Sequence, residues 1–257
     1  MRVGVVFPQT EIGADPYYVK DYAQAAEELG FAHILAYDHV VGANPASRPN
    51  WKAPYSHLDM FHEPLVLFGY LAGVTRQIEF CTGIVILPQR QTVLVAKQAA
   101  ALDVLSGGRL RFGIGIGWNP VEYEALGEDF KDRGRRCEEQ IEVMRLLWKN
   151  SAVTFAGRWH KITDAGINPL PVQHPIPIWF GGGDERALRR LARLGDGWFP
   201  LVGPDEKCRA MIGKIRDYAK EAGRDPQAIG IEGRISYGQG TPDAWRTDLA
   251  AWNTLGA

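Results

Sequence analysis

The stretch IEFCTGIVILPQRQTVLVAKQAAALDVLSGGRLRFGIGIGW, residues 78–118, decides the fold. It opens on the apolar run Ile78–Ile86 and closes on Arg109–Gly115, with an interposed segment that stops at Ser106-Gly107-Gly108. That is a strand, a crossover and a second strand. The same unit repeats in both directions. Further strands are expected at Val3–Phe7, Ala32–Tyr37, Ile176–Phe180, Gly197–Leu201 and Ile229–Ile235. Most are continuously apolar rather than alternating, as parallel strands covered on both faces are. Helices are expected between them. In Pro16–Leu29 the positions Val19, Tyr22, Ala23, Ala26 and Leu29 share one face, and Gly30 supplies the stop. Cys137, Ile141, Met144 and Trp148 form another stripe, as do Cys208, Met211, Ile212, Ile215 and Tyr218. Repeated βα units predict a parallel sheet, either a closed barrel or an open doubly wound sheet.

Three stretches interrupt the rhythm. Asp38–Asp59 is a long loop after the second strand, and Pro120–Gly134 lengthens the crossover after the fourth. Ser151–Pro175 holds an expected hairpin, Val153–Phe155 and Trp159–Thr163 turning at Gly157. In a barrel the loops after strand C-termini build the active-site face. Nothing resembling a linker divides the chain, so residues 1–257 read as a single domain. Seven strand–helix units are visible, and the chain stops at Leu255-Gly256-Ala257, where an eighth strand would begin. A seven-strand open sheet would fit. The preferred reading is a (β/α)8 barrel whose eighth unit is missing, with two unpaired edges to be covered by oligomerisation, as a homodimer, or by a partner segment.

Composition narrows the function. The chain has 29 basic and 30 acidic residues, interspersed, so no basic face points to nucleic acid and no polybasic run to anionic lipid. No run of about 18 apolar residues suggests a membrane span. The start, Met1 to Thr10, lacks a signal-peptide pattern. Cys81, Cys137 and Cys208 are scattered, which suits core packing in a reducing compartment, and a cytoplasmic protein is expected.

Asp38-His39 follows the second strand. Imidazole titrates near neutrality, so His39 could move a proton, and the adjacent carboxylate could orient or charge it. The same pair could be a solvated loop or a helix cap. Gly113-Ile114-Gly115-Ile116-Gly117-Trp118 ends the fourth strand. It would let a ligand approach the backbone, or serve tight packing, and it is not the dinucleotide G-x-G-x-x-G, because Trp118 stands at the last position. Gly181-Gly182-Gly183-Asp184 ends the fifth strand and opens a helix, where free N–H groups suit a phosphate, unless Asp184 is a plain N-cap. His57, Asp59, His62 and Glu63 match no metal-ligand spacing, so no metal is expected. Ser56, Ser106, Ser151 and Ser236 lack the nucleophile-elbow frame, and no phosphate-binding Lys-Ser/Thr loop is present.

Taken in order, Val3-Gly4-Val5-Val6-Phe7-Pro8, Tyr37-Asp38-His39-Val40, Thr82 through Pro88, Lys97 through Leu110, Gly113 through Trp118 and Phe180 through Gly197 resemble the luciferase-like monooxygenase superfamily, and within it the branch dependent on the deazaflavin coenzyme F420. The resemblance covers nearly the whole chain. It implies a (β/α)8 TIM barrel with the ring of F420, or alternatively FMN, lying across the strand C-termini. A non-prolyl cis peptide at Gly83–Ile84 would back that ring. His39 and Asp38 would be catalytic, and Thr82, Gly83, Ile84, Gly115, Gly117, Trp118, Gly181, Gly182 and Gly183 would bind the cofactor, with phosphate at Gly182 and Gly183. The sugar-phosphate dehydrogenases of the branch carry an acid where this chain has Trp118, and a tryptophan shortly after the histidine where it has Gly42-Ala43-Asn44, so their substrate does not carry over. Glu122 matches a family position or merely starts a helix.

The implied reaction is hydride transfer between F420 and a small organic substrate, with Trp118 and the Asp38–Asp59 loop closing the pocket. Reduced FMN in the same barrel would make a monooxygenase. Rival readings are a non-catalytic flavin-binding barrel and a metal-dependent barrel hydrolase.

Overall fold

In the computed structural model, which describes residues 2–257, each of the seven expected strand regions carries a parallel strand. The residues group into units 2–176 and 177–257.

Unit 2–176 holds β1 (Val5–Val6), α1 (Pro16–Glu28), β2 (His33–Ala36), α2 (Pro64–Val74), β3 (Glu79–Thr82), β4 (Val85–Ile86), α3 (Thr92–Ser106), β5 (Leu110–Gly115), α4 (Pro120–Ala125), α5 (Arg133–Lys149), β6 (Val153–Ala156) and β7 (Lys161–Ala165). Its sheet runs β1-β2-β3-β5, with β4 also beside β5. Val5 pairs with Ile34, Ala36 with Thr82, Phe80 with Leu110, and Ile86 with Gly115. The single apolar run expected at 78–86 is thus two strands, because the chain breaks at Gly83–Ile84 and resumes against β5.

Local chemistry explains the boundaries. Asp15 caps α1 through the Tyr17 N–H, and Pro16 follows at the first helical position. α3 ends where Gly107 takes φ +71°, a left-handed conformation that glycine adopts without a Cβ penalty. Arg109, just beyond, donates to Thr75 Oγ1 and to the carbonyls of Ile78, Ala72 and Thr75, which ties the end of α2 to the start of β3. The expected α5 stripe is buried throughout, and Trp148 donates its indole N–H to Ala96 O at 3.0 Å. Burial of such a side chain contributes about 1.5–3 kcal/mol. The hairpin forms as β6 and β7, antiparallel with a bulge near Val153–Phe155. The long crossover after β5 contains the short helix α4.

One carboxylate organises a loop on the far side of the sheet from the strand C-termini. Glu27 accepts N–H groups from Arg76, Gln77 and Ile78 at 2.6–3.1 Å. Burial alone would push its carboxyl up, but those N–H groups and the Arg109 charge outweigh it and hold the group below its ordinary value. A depressed carboxylate contributes stability that is present above its unfolded value and lost as pH falls through the folded one. Glu27→Ala is therefore expected to cost about 1–3 kcal/mol near neutrality. Urea melts should show the gap to the parent narrowing in acid. A gap that stayed constant with pH would refute this role.

Unit 177–257 holds β8 (Ile178–Gly181), α6 (Glu185–Leu194), β9 (Gly197–Phe199), α7 (Glu206–Glu221), β10 (Gly230–Ile231) and α8 (Pro242–Leu255). Its strands run β8-β9-β10, with Trp179 paired to Gly197 and Gly197 to Gly230. Gly197 is required there, since a Cβ would stand 2.2 Å from the Trp179 ring. The expected strand Ile229–Ile235 shortens to Gly230–Ile231. Among the described residues no helix is long and apolar enough to cross a membrane.

Candidate active site at the strand C-termini of residues 2–176

β2 delivers Asp38 and His39 to the C-terminal rim, and at a strand end neighbouring side chains turn to opposite sides. Asp38 turns inward and is 3% exposed. Its Oδ2 accepts the Ile86 N–H at 3.0 Å and its Oδ1 accepts from the Arg90 guanidinium at 2.8 Å. Arg90 also donates to Glu63 Oε1 at 2.7 Å. Burial pushes the Asp38 carboxyl above its ordinary value, while the Arg90 charge and the Ile86 N–H pull against it. For Arg90, burial works against the charge, but the carboxylates of Asp38 and Glu63 outweigh it and leave the guanidinium more firmly protonated. Because arginine keeps its proton and both oxygens of Asp38 meet donors, the pair is ionised. Asp38 thereby fixes the end of β2 to β4, and it makes no hydrogen bond to His39.

The carboxylate that meets His39 is Glu122, 83 residues along the chain, with Oε1 3.0 Å from Nδ1. Glu122 sits in the first turn of α4, which Asn119 caps through the Val121 N–H. A glutamate there commonly faces solvent or the helix start, yet this one is fully buried. Gln89, itself buried, donates its carboxamide N–H to Glu122 Oε2 at 3.2 Å. The tautomer that carries its proton on Nδ1 donates to Glu122 Oε1 and leaves Nε2 as the ring's acceptor atom. Gln89 and Arg90 are held from behind by α5. Arg136 donates to Pro88 O at 2.6 Å, and Gln140 donates to Leu87 O and Arg90 O.

Aromatic rings enclose the imidazole. Phe61, Tyr55 and Trp118 lie 4.9, 5.0 and 6.1 Å from the His39 ring, centroid to centroid, and Trp51 lies 6.0 Å from Trp118. Trp51 and Tyr55 come from the long loop after β2, and Trp118 from the end of β5. The Trp118 side chain is 47% exposed, so one indole surface stays open.

Gly83–Ile84 is a non-prolyl cis peptide, at the position the family resemblance implies. Within the run Phe80–Gln89 these two residues alone are half-buried, and they form an accessible apolar ledge between buried neighbours. The buried Thr82 hydroxyl donates to Gly113 O at 2.7 Å, which binds β3 to β5. A Cβ on Gly115 would stand 2.6 Å from Ile84, and one on Gly117, at φ +64°, 2.7 Å from Ile86. Close packing against Ile84 and Ile86 leaves no room for a Cβ at either position.

Gly181, Gly182 and Gly183 lie in unit 177–257. Gly182 takes φ +109°, and its carbonyl accepts the Trp198 indole N–H at 2.8 Å. Asp184 is the N-cap of α6, accepting from Arg186 and Ala187 N–H, so a carboxylate already serves two of the N–H groups considered for phosphate. The N–H groups of Gly182 and Gly183 precede that cap.

Of the four residues weighed as metal ligands, Asp59 accepts from Ser56, and Glu63 caps α2 through Val66 and pairs with Arg90. His62 donates its backbone N–H to Gln9. No group of three His, Cys, Asp or Glu side chains able to hold a metal occurs among the described residues. Sequence reasoning missed Gln89, Arg90, Tyr55 and Phe61. Only their loop positions near strand ends could have flagged them.

The profile of the luciferase-like monooxygenases matches residues 1–256. An uncharacterized protein of Mycobacterium tuberculosis is 33% identical over 223 residues, 85% of this chain and 77% of that one. An FMNH2-dependent dimethylsulfone monooxygenase of Pseudomonas putida is 30% identical over 80% of this chain and 54% of its own length. Among solved structures, a coenzyme F420 dependent tetrahydromethanopterin reductase from Methanopyrus kandleri aligns with TM-score 0.72 at 20% identity, over 91% of this chain and 65% of that one. The likeness is in fold, an α/β barrel of the luciferase-like type on a shorter chain. With profile and fold in agreement, the chain belongs to the luciferase-like monooxygenase family.

Proposed function

We propose that this protein is a flavin- or deazaflavin-dependent oxidoreductase, and that it exchanges a hydride between coenzyme F420 and a small organic substrate. The observation that carries the reading is the His39–Glu122 contact of 3.0 Å beside the Gly83–Ile84 ledge. A tricyclic ring needs a flat apolar backing and a polar edge, and this rim offers both: Gly83, Ile84 and the aromatic cluster on one hand, His39 on the other. When bound, the cofactor supplies a two-electron hydride donor or acceptor. The chain's own residues do the rest. His39 Nε2 gives or takes the accompanying proton, Glu122 holds the ring in place through Nδ1, and Gln89 holds Glu122. Trp118 and the loop bearing Trp51 and Tyr55 exclude water from the reacting face.

A second reading, an FMNH2-dependent monooxygenase, is favoured by the likeness to the dimethylsulfone enzyme. Equilibrium titration followed by cofactor fluorescence separates the two. F420 is expected to bind at least about tenfold more tightly than FMN, a difference of roughly 1.4 kcal/mol. A reversed order would favour the monooxygenase, and binding of neither would overturn both.

A further inference from the structure

We infer that the substrate is uncharged and apolar, a flat molecule with one hydrogen-bonding oxygen, and that phosphorylated or carboxylate substrates are excluded. The inference rests on the proposed function for the assignment of the pocket as a reaction site, and on the charges around His39 for the substrate's chemistry.

The Glu122 carboxylate meets the imidazole at Nδ1, and the carboxylate of Asp38, the residue before His39 in the chain, is tied through one guanidinium to that of Glu63. Arg90 is the cation tied into this group, and it is spent. One of its terminal nitrogens is on Asp38, the other on Glu63, and its side chain is only 14% exposed. An anionic substrate placed against His39 would meet the Glu122 carboxylate on the same ring, and the Arg90 guanidinium, with both terminal nitrogens on carboxylates, offers no open fork. Recognition of phosphate or carboxylate normally depends on such a fork or on an open lysine. A substrate that brings no charge avoids this repulsion.

The remaining lining states what would be attracted. Phe61, Tyr55 and Trp118 ring the imidazole, and the open indole of Trp118 is backed by Trp51. Aromatic surface of this kind stacks on flat apolar molecules through offset or edge contacts. Inside this ring of aromatics, Nε2 of His39 is a polar atom that a ligand can meet. One oxygen on the ligand would satisfy it, and a second charged group would be left without a partner.

The test uses the full chain and three probes of one shape: acetophenone, benzoate and phenyl phosphate, titrated by saturation-transfer NMR. Acetophenone is expected to bind at least tenfold more tightly than either anion. Trp118→Leu is expected to weaken acetophenone by about fivefold or more while the melting temperature holds, and Trp51→Leu to weaken it less. Anions binding as tightly as acetophenone would overturn the inference. So would failure of all three probes to bind, or acetophenone binding unaltered in Trp118→Leu, which would make the aromatic cluster loop packing only. The two readings fail separately. If acetophenone behaves as stated while neither F420 nor FMN binds, the redox function falls and only the pocket's preference for uncharged aromatic ligands stands. If a cofactor binds and benzoate matches acetophenone, the reverse holds.

Discussion

His39→Ala is expected to lower turnover with the bound cofactor by about 10²- to 10⁴-fold, the usual weight of a positioned general acid or base. Cofactor affinity should change far less, because on the proposed reading the ring would also rest on Gly83, Ile84 and the aromatic residues. On the proposed reading Glu122 acts through His39, so Glu122→Gln should cost nearly as much, by weakening the 3.0 Å contact that orients the ring. Residues that act as a unit are non-additive. In a His39→Ala background, Glu122→Gln should therefore lower turnover by less than about threefold. The measurement is a double-mutant cycle on kcat and KM. Full turnover in His39→Ala would remove the proton-transfer role, and a strictly multiplicative cycle would show that Glu122 does something independent of the imidazole.

The second large effect concerns stability. Asp38→Ala leaves the Ile86 N–H without its acceptor and strips Arg90 of one of two carboxylates in a setting where Asp38 is 3% exposed. Breaking a buried pair by removing one partner costs about 3–5 kcal/mol, and the surviving bond from Arg90 to Glu63 places the expectation near the low end. For a chain of this size that corresponds to a melting temperature lower by roughly 6–12 °C. Asp38→Asn keeps an acceptor for Ile86 and should fall between. Adding Arg90→Leu to Asp38→Ala removes the unmatched charge and should recover part of the loss. Calorimetric or urea unfolding reads all three. If Asp38→Ala melted within about 2 °C of the parent, the carboxylate would not be holding β2 to β4.

The two effects show where sequence reasoning succeeded and where it stopped. The strand regions were legible because parallel strands covered on both faces must be apolar, and each of the seven runs contains one. Their ends were not legible. Gly83–Ile84 splits one apolar run into β3 and β4; inside CTGIVI a lone glycine is a weak sign of a break, and the family resemblance located it. The position of His39 after β2 was legible as well. Its partner was not, because adjacency suggested Asp38 while side-chain alternation sends the two apart. Glu122 is a first-turn helix residue whose sequence setting matches an ordinary solvated glutamate. Only the tertiary fold, bringing the start of α4 under the end of β2, gives it a different task. The phosphate expectation at Gly182 and Gly183 left open whether Asp184 was a cap, and its bonds to Arg186 and Ala187 identify it as one.

One guanidinium, that of Arg90, grips the chain at Asp38 and again at Glu63, so both ends of the intervening loop are pinned to the same point. Ring closure is thus settled by the scaffold and not by the loop's own sequence, and doubling the length between the pins adds only about 0.6 kcal/mol of closure entropy. The segment from Val40 to His62 can then be treated as an exchangeable cassette. Grafting different lengths and compositions between two fixed anchors offers a route to new selectivity with the barrel rim left intact.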